Sequence, residues 1–176
     1  AGYFFREREK SQTSKDRYRD FSGGVKGNYV LDKDKDLEIA YSFDQYDKSA
    51  YLPQVANDVR DYSNVQHSVH TFYNHTFVGK HILTVGGDYM RDYLMSYQFA
   101  NNGSKHQYTV DGFAQFDWNP TKYFNVITGL RFDYYSDSDI NHFSPKLGLM
   151  YKIGNCSLRG SYAGGFRAPT LKEMYM

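Results

Sequence analysis

Across nearly the whole chain, apolar and polar residues alternate with a period of two, and few folds are compatible with that pattern. Leu37, Ile39, Tyr41 and Phe43 are separated by Glu38, Ala40, Ser42 and Asp44. Phe124, Val126, Thr128, Leu130, Phe132 and Tyr134 alternate with Asn125, Ile127, Gly129, Arg131 and Asp133. Leu147, Leu149, Tyr151 and Ile153 stand against Lys146, Gly148, Met150 and Lys152. Leu158, Tyr162 and Phe166 then alternate with Arg159, Ser161 and Arg167. Successive side chains of an extended strand point to opposite faces, so each stretch reads as a strand with one apolar and one polar face. Weaker copies lie at about 21–31, 65–77, 83–97 and 108–118. The first stretch, 2–10, is strand-like, but Arg6, Glu7, Arg8 and Glu9 leave its facing open. The count is about eight or nine strands of roughly 10–15 residues, well beyond the usual globular strand of about 5–6. The expected class is all-β: an antiparallel up-and-down meander with no helix longer than two turns.

The links between strands are of two kinds. Short polar turns fall at 32–36, 79–80, 119–122 and 154–155, and longer polar links at 11–18, 48–64, 100–107 and 136–142. Long alternating strands with tight turns at one end and longer loops at the other describe an outer-membrane barrel, whereas a globular sandwich has shorter strands. Composition agrees. The 32 aromatic residues outnumber the 25 Leu, Ile and Val, and tyrosine and tryptophan suit membrane boundaries because the ring is apolar and its tip wet. Tyr29, Phe77, Trp118 and Tyr123 fall beside short turns, while Tyr46, Tyr93, Tyr97, Tyr134 and Tyr135 gather toward the long-link end. No apolar run approaches the length of a membrane-crossing helix. The net charge of +1 offers nucleic acid no electrostatic footing.

The polar face carries Lys26, Asn28, Asp44, Asp88, Asp111, Gln115, Asp117, Arg131, Asp133, Lys146, Lys152, Arg159 and Arg167. Facing a wet lumen, such charges are expected to pair with one another or with backbone. Catalytic and metal chemistry find no footing. The lone Cys156 excludes an intrachain disulfide and any multi-cysteine metal site. His67 and His75 sit eight residues apart with His70 on the opposite face, which is too far to share a metal. Asp137, Ser138, Asp139 and Asn141 match the opening of a calcium loop, but His142 occupies the glycine position and Gly148 the glutamate position, so a solvated turn is expected. Nucleophile-elbow, GxGxxG and P-loop patterns are absent. Neither an enzyme nor a resident cofactor is expected.

The C-terminal pair of strands is more specific. Ser144-Pro145-Lys146-Leu147-Gly148-Leu149-Met150-Tyr151-Lys152 is followed by Ser157-Leu158-Arg159-Gly160-Ser161-Tyr162-Ala163-Gly164-Gly165-Phe166-Arg167-Ala168-Pro169-Thr170-Leu171-Lys172-Glu173-Met174-Tyr175. This joined pair resembles the TonB-dependent outer-membrane receptor family, whose barrels carry an S-P-K/R-L-G-L-x-Y-K strand and then one ending G-F-R-A-P-S/T-L-x-E-x-Y. The family motif falls on Phe166, Arg167, Ala168 and Pro169. Alternation from Arg159 places Arg167 on the lumen side, and Pro169, unable to donate a ladder hydrogen bond, is expected to end the strand. The resemblance implies a barrel of about 22 strands around a plug, importing a scarce nutrient with energy from TonB. Residues 1–176 are then expected to be one internal barrel section, with no plug domain, TonB box or C-terminal closing strand.

By this resemblance the expected function is import of an iron complex, siderophore or haem, across the outer membrane of a Gram-negative bacterium. The partners are outer-membrane lipid, a small nutrient ligand and, through the plug, the TonB complex. Cobalamin or another nutrient is the nearest alternative. A porin or adhesin barrel without TonB coupling, or a barrel enzyme, lies further off. Ligand capture is expected in the longer links, where Tyr51, Arg60, Tyr62, Lys105 and His106 offer stacking rings, cations and an iron-ligating imidazole.

Overall fold

Period-two alternation becomes a ladder in the computed structural model, which describes residues 1–11, 13–78, 80–99, 103–137, 139–166 and 171–175. Nine strands form one sheet in chain order: β1 (Gly2–Ser11), β2 (Ser14–Asp32), β3 (Lys35–Leu52), β4 (Asn57–Phe77), β5 (His81–Ser96), β6 (Ser104–Trp118), β7 (Phe124–Tyr135), β8 (Ile140–Ile153) and β9 (Cys156–Ala163). Every neighbouring pair is antiparallel. A short helix, α1 (Leu171–Tyr175), follows β9 and packs against β5 and β6. It is the only helix among the described residues. The antiparallel meander is the one the alternation predicts, and the sheet is unclosed, with β1 and β9 at its edges.

Direct cross-strand partners share a face. Leu37 pairs with Tyr73, Tyr73 with Val85, Val85 with Ala114, Ala114 with Leu130, and Leu130 with Pro145. Leu147 and Tyr151 on the same side meet Tyr162 and Leu158. The opposite face pairs Arg131 with Ser144, Lys146 with Gly129 and Arg159 with Met150. On that polar face, side chains two strands apart touch: Phe72 with Phe113, Asp88 with Arg131, and Gln115 with Lys146. The sheet therefore curls toward its polar side, leaving the apolar side convex. Little is buried in the ordinary sense. Among the described residues only Leu94 and Leu171 are buried hydrophobics, whereas Leu158 on the convex face is 70% exposed.

The convex apolar belt has the dimensions of a membrane. Phe77 to His67, His81 to Arg91 and Trp118 to Tyr108 each span ten residues, and His67, Arg91 and Tyr108 are direct cross-strand partners. Ten residues at about 3.3 Å, tilted about 40°, rise roughly 25 Å, the height of a barrel's apolar band. The tilt can be read from the register. The belt occupies residues 21–31 on β2 and 143–153 on β8. The row through Phe143, Phe132, Gly112, Gly87, Thr71 and Ile39 reaches β2 at Gly27, six residues from Phe21. A drift of six residues, about 20 Å, across six spacings of about 4.8 Å gives a tilt of about 35°.

The structure corrects the sequence reading in three places. First, strands run through most of the expected long links: β2 begins at Ser14, β3 continues to Leu52, β4 starts at Asn57, β6 at Ser104 and β8 at Ile140. The upper end is therefore marked by strands rising above the belt rather than by long loops. Its outward positions are polar there, so the apolar signal stops while the ladder continues. Second, β9 ends at Ala163: the Gly164 amide still donates to Pro145 O at 2.8 Å, but Pro145 has no N–H to return the bond, so the ladder stops there. Phe166 therefore leaves the convex face and stacks on His142 from the concave side. Third, Tyr46 and Tyr135 point to the concave face, unlike Tyr93 and Tyr134. Arg167, Ala168 and Pro169 lie outside the described residues.

At the lower end two turns are tied together. Asn119 N donates to His81 Nδ1 at 3.0 Å, Asn119 Nδ2 to Lys80 O at 2.9 Å, and Lys80 Nζ to Pro120 O at 3.2 Å. Gly154, at φ 57°, supplies the left-handed residue of the β8–β9 turn. Gly86 serves closer packing: a Cβ there would lie 2.5 Å from Thr71 O and 2.7 Å from the Phe113 ring.

Two outcomes follow for the full-length barrel. Leu149→Arg should cost about 2–4 kcal/mol in urea unfolding of the reconstituted protein, whereas Gln54→Arg in the β3–β4 turn should cost little. Equal costs would contradict a lipid-facing belt. Gly86→Ala should cost about 1–3 kcal/mol, because backbone Thr71 O cannot move aside as a side chain could.

Candidate functional site

Chemistry collects on the concave face in three tiers. In the upper tier, above the belt, Tyr18, Tyr46 and Tyr62 form a row across β2, β3 and β4, with ring centroids 6.5 and 5.9 Å apart. Lys48 Nζ stands 5.8 Å from the Tyr18 ring and 3.6 Å from Asp16 Oδ2. The row exists because Lys48 is the direct cross-strand partner of both Tyr18 and Tyr62, which leaves Tyr46, two residues earlier on the same face of β3, diagonal to both rings.

The middle tier is a charge cluster. Arg131 on β7 reaches Asp111 Oδ2 and Asp133 Oδ1, each at 2.8 Å, and Asp88 Oδ2 at 3.8 Å. His70 on β4 lies 2.8 Å from the other Asp88 oxygen. The pairing expected of lumenal charges is present: one guanidinium fork serves three carboxylates from three strands. Below it a groove of about 360 Å³ holds the Phe72–Phe113 pair and Lys146, whose Nζ donates to Gln115 Oε1 at 3.0 Å. Along β6, Gln107 Nε2, Thr109 Oγ1 and Asp111 Oδ1 are buried without a hydrogen-bond partner among the described residues.

Phe166 and α1 lie over the upper concave side. The Phe166 ring lies 4.5 Å from His142 and 6.0 Å from Tyr135. Tyr175 Oη donates to Asp137 Oδ2 at 2.8 Å, and that hydrogen bond to a carboxylate pushes the phenol pKa up. The Tyr175 ring also receives Lys105 Nζ at 4.3 Å and Phe99 at 6.1 Å.

The five residues singled out from sequence divide between the two faces, and all sit on strands near their upper ends. Tyr62 and Lys105 face the concave side, beside Tyr46 and Tyr175 respectively. Tyr51, Arg60 and His106 face the convex side. Tyr51 stacks under Arg17, Arg60 pairs with Asp47 at 3.5 Å, and His106 rests on Tyr93. Sequence reasoning missed the Tyr18–Tyr46 part of the upper row, whose only signal is register. Among the described residues no group of His, Cys, Asp and Glu could hold a metal ion.

Replacing Arg131 with Ala would strand Asp111 and Asp133, both more than nine-tenths buried. We expect a loss of about 2–4 kcal/mol in the full-length barrel, less than for a fully buried pair because the guanidinium is partly exposed. Arg131→Lys should restore part of it, and an unchanged unfolding midpoint in Arg131→Ala would contradict the cluster's role.

The comparisons with known proteins bear on this geometry. No curated protein matches the chain. Among solved structures the chain is similar to the siderophore receptor PirA from Acinetobacter baumannii, with a TM-score of 0.62 and 15% identity over 89% of this chain. It spans 26% of that protein, about a quarter of its length. The family model for the TonB-dependent receptor-like β-barrel matches residues 2–176. With its curled antiparallel meander, lipid-scaled belt and polar concave face, the chain belongs to the TonB-dependent receptor β-barrel family.

Proposed function

We propose that this chain forms part of the wall of a TonB-dependent receptor in the outer membrane of a Gram-negative bacterium. That receptor imports an iron complex, a siderophore or haem, with energy passed from TonB through a plug domain. The observation that carries the reading is the Tyr18–Tyr46–Tyr62 row with Lys48, on the concave face above the belt. Three phenol rings and an ammonium suit a flat, anionic ligand such as a catecholate complex or a porphyrin with its carboxylates. The similar structure, PirA, is that of a siderophore receptor, which supports the same reading.

On this reading Tyr62 and Lys105 belong to the ligand path, whereas Tyr51, Arg60 and His106 serve the outer rim. The test uses the full-length receptor. Replacing Tyr46 and Tyr62 together by Ala should weaken binding of the ferric siderophore or haem by about tenfold, the worth of two stacking contacts, and slow growth on that iron source. Replacing Arg60 and His106 by Ala should leave binding unchanged. Normal surface expression with undiminished iron-complex binding in the tyrosine variant would exclude the row. Loss of cobalamin uptake instead would reassign the nutrient.

A further inference from the structure

Among the described residues, the convex face carries one guanidinium without an acidic partner. Arg91 is exposed on β5, directly above an outward run containing Leu83, Val85 and Tyr89. Among the described residues it makes no ion pair or hydrogen bond, and its cross-strand partners are His67 and Tyr108. Higher on the same face the arginines are matched: Arg17 meets Glu7 and Asp58, Arg19 meets Asp58, and Arg60 meets Asp47. Asp47, four residues higher in register on this face, is already engaged by Arg60, Gln45 and Ser63, and Asp139 accepts from Tyr134. His67 has only Nδ1 committed, 2.9 Å from Tyr41 Oη.

The height of this row explains the missing acid. An unpaired cation is costly at the centre of the lipid layer and nearly free of cost at its edge. The His67–Arg91–Tyr108 row stands one belt height, ten residues, above the Phe77–His81–Trp118 end, where headgroup phosphates begin. The Arg91 guanidinium and the His67 imidazole together offer a phosphate oxygen donors at the level where an arginine gains most from a negative surface, while the Tyr108 ring packs against Tyr134 beside them.

We propose that Arg91, flanked by His67 and Tyr108, binds the phosphate of an anionic lipid headgroup seated on the outer wall of the barrel. The proposal rests on the membrane-barrel reading, and its test separates the two. The full-length receptor, in a Cys156→Ser background, is reconstituted in phosphatidylcholine vesicles containing a minor fraction of phosphatidylglycerol. Native mass spectrometry of the released protein then measures retained phosphatidylglycerol. Arg91→Ala should weaken retention about fivefold, the effect of one basic residue at an anionic surface, and Arg91→Lys should keep most of it. Equal retention by wild type and Arg91→Ala would overturn the site. So would displacement of the lipid by equimolar inorganic phosphate, which would mark a soluble-anion site instead. In parallel, a Val85→Cys variant in vesicles should resist a water-soluble maleimide. Protection with equal lipid retention defeats the headgroup site alone, whereas labelling of that position defeats the membrane reading itself.

Discussion

Everything in this chain depends on satisfying the backbone without water. In a lipid layer each unpaired amide or carbonyl costs several kcal/mol, so a spanning strand must find its partners sideways. The chain meets that demand through eight successive antiparallel ladders running from Gly2 to Ala163. Once the ladder is fixed, side chains have two duties only. Odd positions of β7 and β9 and even positions of β8 lie among polar groups on the concave face, for example, while the alternate positions form the convex apolar belt. This is why the molecule has almost no hydrophobic core and yet is rich in exposed apolar residues. Its apolar surface is matched to a solvent outside rather than to itself.

Within the belt, the sequence is nearly sufficient to give the structure. Leu37, Leu130, Leu147 and Leu158 fall on one face because a period of two admits no other arrangement. Above the belt that logic fails for a physical reason. Arg17, Arg19, Asp47, Ser49 and Arg60 face outward like the apolar residues below them, but there charge pairs and hydrogen bonds take the place of the apolar side chains. Polarity alone therefore looked like loop. Phe166 was hidden differently: what ends β9 is the missing N–H of its cross-strand neighbour Pro145, nineteen residues from Gly164 in sequence, and no pattern local to β9 records it.

The candidate site was legible in kind and not in placement. Aromatic and basic residues near the upper end were visible as composition. Alternation by itself already separates Lys105 from His106, since neighbours on a strand point to opposite faces. The Tyr18–Tyr46–Tyr62 row could be found only after two registers were known, because its members come from three strands. The Arg131 cluster lies between these cases: each charge was evident on the polar face, but which carboxylates share the guanidinium depends on the curl of the sheet.

The tie between Lys80, His81, Asn119 and Pro120 has a mechanical meaning. It couples the β4–β5 and β6–β7 hairpins at one rim, so neither can be drawn out alone. Ladder hydrogen bonds run across the strands, and a load directed along the strands therefore strains many of them at once, in shear. Peeling, which breaks them one at a time, would have to begin at an edge strand. Coupled at their turns, β4 to β7 resist axial traction as a single stiff panel. A wall built this way can stay put while something inside it is pulled.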